Sequence, residues 1–130
     1  MRALDTNILV RLLAKDNAEQ LALARQLVGE PCFIGPTVLL ETVWVLQSGY
    51  HYADLEIVER LQPILQIDTV SVFDAQAVSW VLERFERGAD FADMMHLVQS
   101  GPSSSFATFD RKLAAQAGAS PPLPIETLAA

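Results

Sequence analysis

Short apolar runs alternate along the chain with longer stretches whose apolar residues recur every three or four positions, the pattern of strands leading into amphipathic helices. Arg2–Asp5 reads as a short strand running straight into a helix over Thr6–Lys15. Asp16 is placed to cap a second helix over Ala18–Gly29, with Glu19 three residues on completing a capping box. Cys32–Ile34 is a short apolar run before Gly35-Pro36, as expected of a buried parallel strand. Thr37 then caps a helix through Ser48, which Gly49 ends. Leu55, Val58, Leu61, Ile64 and Leu65 keep helical spacing, and Pro63 within that span predicts a kink or an early end. Thr69–Phe73 is the third strand, and Asp74 caps a helix to Arg87. Asp90 caps a helix to Ser100, Ser104–Phe109 makes a fourth strand and Asp110–Ala117 a last helix. Leu123–Ile125 reads as an edge strand after the Pro121-Pro122 turn. Strands alternating with helices predict an α/β layer fold with a mainly parallel central sheet.

Composition narrows the class. A chain of 130 residues with 51% hydrophobic and 19% charged side chains is a globular folder of one domain, 1–130. No apolar run reaches the roughly 18–20 residues of a membrane span, and no secretory signal is visible, so the expected compartment is the cytoplasm. Cys32, the single cysteine, excludes a disulfide framework and leaves no cluster for zinc; it reads as a buried structural thiol. The net charge of −7 argues against an electrostatic binder of nucleic acid. Two divalent ions would offset part of that acidity.

The candidate chemistry lies in four carboxylates, Asp5, Glu41, Asp93 and Asp110, each where the chain leaves a strand or opens a helix. Singly, each has a plain explanation, because carboxylates favour helix N-termini. In a parallel sheet, however, a helix that follows a strand begins at the strand's carboxyl edge, where ligand sites of open α/β sheets form. Asp5 and Asp110 end strands, and Glu41 lies in the first turns of a helix that follows one. The helix of Asp93 feeds the fourth strand through Gly101–Ser103, so it runs antiparallel to that strand and starts beside Asp110. Two unit charges ~4 Å apart repel by about 4 kcal/mol at an effective dielectric of roughly 20. Four carboxylates in one pocket therefore take up protons or bind a cation. Oxygen-only ligands favour Mg²⁺ or Mn²⁺, and phosphodiester hydrolysis is the reaction such parts suit.

The segments LDTNILVR, LLETVWVL, ADFADMMHL and TFDRKLA, in this order and spacing, resemble the PIN-domain ribonucleases, and among them the VapC-type toxins of toxin–antitoxin pairs. The resemblance covers nearly the whole chain. It implies a three-layer α/β/α PIN-like domain and Mg²⁺- or Mn²⁺-dependent endonuclease cleavage of RNA. It also implies a homodimer and inhibition by a VapB-type antitoxin encoded alongside. The family's acidic residues fall on Asp5, Glu41, Asp93 and Asp110, with Thr6 and Asn7 as polar support around the metal. GPSSS before the fourth strand departs from the Gly–Cys or Gly–Ala pair frequent in the family, which bears on packing more than chemistry.

Other residues carry plainer readings. Asp74 follows a strand that the family's order places at the sheet margin, so it is a cap. His96 reads as a packed or hydrogen-bonded side chain, and His51 as loop surface or interface. Arg111 and Lys112 fit either contact with RNA phosphates or a solvated helix start, and Arg11 is a further candidate for the groove. Trp44 and Trp80 fall on helices and read as core, with a dimer surface as the alternative. The Leu55–Leu65 stripe reads as core; in the family, neighbouring helices form the clip that holds the antitoxin. Two other functions compete. A Mg²⁺-dependent phosphatase would want a second Asp two residues after the first, and position 7 is Asn7; of a receiver domain's acids only Asp74 fits. A non-catalytic PIN-like binding module is expected to lack one of the carboxylates, and none is missing.

Overall fold

A computed structural model describes residues 1–129. Two compact units follow one another along the chain, Met1–Ala75 and Gln76–Ala130.

In the first unit, β1 (Arg2–Ala3), β2 (Cys32–Ile34) and β3 (Val70–Val72) form a parallel ladder in the order β1-β2-β3. Arg2 pairs with Cys32 and Ala3 with Phe33, so the carboxyl ends of β1 and β2 lie side by side. β2 is central and carries the buried Cys32 and Ile34; burial pushes the Cys32 thiol's pKa up. α1 (Thr6–Ala14) buries Leu9, Leu12 and Leu13, the spacing of one helical face, and ends at Lys15 in the left-handed conformation. α2 (Ala18–Val28) is capped by Asn17, whose side chain accepts from Gln20 N at 3.0 Å. Asp16 is thus not the cap, because its carboxylate turns to Arg11 and Tyr50 instead.

α3 (Pro36–Ser48) starts with Gly35 as N-cap and Pro36 in the first turn, where a missing N–H costs nothing; Thr37 is not the cap. It buries Leu39, Thr42, Val43 and Leu46. Trp44, expected in the core, is 63% exposed, since the buried face of α3 is already filled by those four. α4 (Asp54–Leu65) buries Ile57, Val58 and Leu61, while Leu55 points outward at 51% exposure. Pro63 falls in the last turn, and the helix closes two residues later at Leu65. Arg60 Nη1 donates to Leu13 O at 2.7 Å, satisfying a carbonyl at the end of α1, and its guanidinium lies 4.4 Å from the Tyr52 ring centre.

The second unit holds α5 (Ala75–Glu86, which opens on the last residue of the first unit), α6 (Phe91–Val98), β4 (Phe106–Thr108), α7 (Leu113–Ala117) and β5 (Ile125–Thr127). Its core includes Phe85, Phe91, Met94, Leu97 and Leu113, with the Phe85 and Phe91 rings edge to face at 5.3 Å. β4 pairs in parallel with β5, from Phe106↔Ile125 to Thr108↔Thr127. The expected single sheet is therefore divided into two parallel ladders, and the last strand lies two residues beyond Leu123–Ile125. α7 begins at Leu113 instead of Asp110, because the Asp110 side chain folds back to hold a turn. No helix among the described residues is long and apolar enough to cross a membrane.

Candidate functional site

In the first unit, Leu4 N donates to Phe33 O at 2.9 Å and carries the β1 ladder to its end. Asp5 follows with extended backbone as the N-cap of α1, its Oδ1 accepting from Thr6 N at 2.7 Å, while the residue stays exposed. Glu41 lies on the exposed side of α3, between the buried Leu39 and Thr42. The two elements are joined by Thr6. Its hydroxyl, on a side chain only 8% exposed, donates to Glu41 Oε1 at 2.5 Å. A hydrogen bond to an ionised carboxylate is among the stronger kinds, and this one ties the second turn of α3 to the first turn of α1. Asp5 and Glu41 thus stand at the carboxyl edge of β1 and β2, as parallel pairing demands.

Asn7, exposed, lines a shallow groove of about 290 Å³ with Ile8, Arg11, Gln20 and Leu23. Arg11 is committed to other partners. Its guanidinium donates to Asp16 at 3.1 Å, to the Tyr50 hydroxyl at 3.2 Å and to Gln20 Oε1 at 2.5 Å. The Tyr50 hydroxyl in turn donates to Asp16 at 2.7 Å. The hydrogen bond from Tyr50 and the charge of Arg11 hold Asp16 below the usual carboxylate range. This network was not legible in the sequence, because Tyr50 is 34 residues from Asp16 and 39 from Arg11.

In the second unit, Asp90 caps α6 as expected, accepting from Asp93 N at 2.9 Å. Asp93, one turn in, is half-buried. Burial raises its pKa first, then the like charges of Asp90 and Asp110, with His96 opposing them. Asp93 and Asp110 are therefore close enough to feel one another. Asp110 sits in a turn, its N–H donating to Thr108 Oγ1 at 3.0 Å and its Oδ1 accepting from Lys112 N at 2.9 Å. Arg111 and Lys112 are exposed and make no ion pair among the described residues; His96 is exposed as well.

Among the described residues, no three His, Cys, Asp or Glu side chains gather closely enough to hold a metal ion. The donors nevertheless suit a hard cation, since all are carboxylate oxygens. Asp93 moreover carries an unfavourable charge that a divalent ion would relieve.

A family model described as the PIN domain matches residues 2–119. No curated protein and no solved structure matches the chain. The match runs from β1 through α7, and with seven helices and parallel strands among the described residues the α/β class and the three-layer α/β/α expectation stand. It also takes in Asp5, Glu41, Asp93 and Asp110, and on this extent of agreement the chain belongs to the PIN domain family, whose fold is nuclease-like.

Proposed function

We propose that the chain is a metal-dependent endoribonuclease of the VapC toxin type, with Asp5, Glu41, Asp93 and Asp110 serving a Mg²⁺ or Mn²⁺ centre. The observation that carries this reading is electrostatic. Asp93 is held half-buried against two like charges, an arrangement that costs stability unless a cation compensates it. The Thr6–Glu41 bond adds to it, because a side chain meant to act on a ligand gains from a fixed orientation. Bound there, the ion supplies a Lewis acid for the phosphate and a water acidic enough to attack at neutral pH. Glu41, aimed by Thr6, or Asp93 orients the attacking water, and Asn7 supplies polar support at the start of α1. Arg111 and Lys112, exposed and free of ion pairs, are suited to RNA phosphates. Arg11 acts less directly, through the wall of the Asn7 groove.

The toxin subtype rests on the order of the four motif segments. A VapB-type antitoxin and a homodimer complete that reading. A groove of about 590 Å³ between α1 and α4, lined by Leu12, Leu13, Pro63 and Ile64, supports an antitoxin contact. Cleavage of total RNA with Mn²⁺ and its loss with EDTA test the activity. Asp5→Asn tests the centre, because Asn caps a helix as well as Asp does and the fold survives. At Mn²⁺ near 100 times its Kd, the native chain gains about 2.7 kcal/mol of stability, and the variant loses most of that gain. Equal melting shifts in both proteins refute the centre, and EDTA-resistant cleavage refutes the mechanism. Growth arrest on expression, relieved by the product of an adjacent small open reading frame, separates toxin from housekeeping nuclease.

A further inference from the structure

The second unit contains three buried polar atoms with no hydrogen-bond partner among the described residues: Trp80 Nε1, Arg84 Nε and Gln116 Oε1. Buried polar groups are almost always bonded, so three of them on two helices of one unit need a cause. Trp80 and Arg84 stand one turn apart on the same face of α5, with the guanidinium 5.9 Å from the Trp80 ring centre. Gln116 lies on α7, and Gly118, which caps α7, sets its backbone against the same guanidinium. A Cβ at Gly118 would lie 2.5 Å from Arg84 Nη1, so glycine is what lets the end of α7 come this close.

Arg84 is also poorly neutralised. Its side chain is 18% exposed, and its ion pair is with Glu83 at 3.8 Å. Residues adjacent on a helix do not face each other, and Glu83 lies closer to Arg87, at 3.3 Å. A buried charge held this loosely, beside unbonded polar atoms, disfavours the docked state. Water bonds such groups once the helices part. Apolar burial opposes the parting weakly, since α7 has five residues and buries Leu113 and Ala117. The helix follows directly on the turn in which Asp110 Oδ1 accepts from Lys112 N at 2.9 Å, so a displaced α7 carries that turn with it.

We propose that α7 is a releasable latch on α5, which opens ahead of the rest of the fold and takes Asp110 out of position. The consequence for Asp110 rests on the metal-dependent reading above: with a divalent ion on this carboxylate the latch stays closed.

Amide hydrogen exchange on the full chain, in EDTA, reads the latch through the N–H groups of Gln116 and Gly118, which donate to Lys112 O and Ala114 O. The Met94 N–H, which donates to Asp90 O in α6, is the reference. In the native chain the first two exchange faster than the third. Arg84→Met and Gln116→Met nearly keep side-chain length and remove unbonded groups. Each slows exchange at the latch roughly 5- to 150-fold, the span for one relieved buried group, with no loss of protection at Met94. A short helix that merely frays gives no such gain. Native or faster latch exchange in either variant overturns the proposal, as does native latch exchange no faster than that of Met94. Loss of Met94 protection in both variants overturns it too, because it shows that these groups hold the fold. With Mn²⁺, latch exchange slows further in the native chain and not in Asp110→Asn. Slower exchange in both methionine variants with no response to Mn²⁺ keeps the latch and takes Asp110 out of the proposed centre.

Discussion

Replacing Thr6 by Val removes one hydroxyl and keeps the β-branched shape of a side chain that is 8% exposed, so packing at the start of α1 is preserved. The lost interaction is the 2.5 Å hydrogen bond to Glu41 Oε1. A hydrogen bond to a charged group contributes about 1.5–3 kcal/mol. Glu41 is exposed, so water takes over part of the hydroxyl's role and the expected loss falls to or below the bottom of that range, about 1–1.5 kcal/mol. An unfolding entropy of about 2.1 cal/mol/K per residue converts this into a drop of about 4–6 °C in Tm. The cap from Asp5 to Thr6 N is a backbone contact and survives the change. Melting in a double-mutant cycle with Glu41→Met isolates the bond, and the coupling should be about 1 kcal/mol. Cleavage should fall roughly tenfold to a hundredfold in kcat, since Glu41 keeps its charge but loses its orientation, and Thr6→Ser should recover it. Additive melting shifts within about 0.5 kcal/mol, with unchanged kcat, would refute the positioning role.

Three further perturbations test other parts of the structure. The folded pKa of Asp16 is depressed, chiefly by Tyr50, then by its own backbone N–H and by Arg11, so its contribution to stability is present above the ordinary carboxylate range and vanishes as pH falls through the folded value. Asp16→Asn should therefore melt lower than the native chain at pH 7 and converge on it in acid; a gap constant with pH contradicts this. The folded pKa of Asp93 is raised, so its ionised form weakens the fold increasingly as pH climbs from the unfolded value through the folded one. Asp93→Asn should raise the metal-free Tm at neutral pH while abolishing cleavage, and a lower Tm would show that the carboxylate holds the fold. Gly118→Ala forces a side chain onto φ +81 and sets its Cβ 2.5 Å from Arg84 Nη1. Arg84 is hemmed in, its guanidinium 5.9 Å from the Trp80 ring centre and its side chain 18% exposed, so a loss of about 1–3 kcal/mol should appear in thermal melts. An unchanged Tm would show that the loop shifts freely.

Local rules that act within a few residues were legible in the chain. Periodicity located every helix and strand to within a few residues, and Asp90 capped α6 as its place before Phe91 predicted. Where two neighbouring residues competed for one cap, local rules failed: Asn17 took the role expected of Asp16, and Pro36 displaced Thr37 into the helix. The amphipathic stripe of α4 kept Val58 and Leu61 inside as expected, but its first turn differed, with Ile57 inside and Leu55 outside, because Leu, Ile and Val serve a pattern equally well.

The acids too divide along this line. The sequence by itself determined that Asp5, Glu41, Asp93 and Asp110 stand at strand ends and helix starts, since caps, breakers and apolar spacing depend on neighbours along the chain. Tertiary structure alone decided that the Thr6 hydroxyl meets Glu41, 35 residues away, and that Arg11 is taken up by Asp16 and Tyr50. It alone decided which of two tryptophans faces water. Such pairings depend on how helices rotate as their buried faces fill, and no rule confined to a short window of sequence contains that rotation.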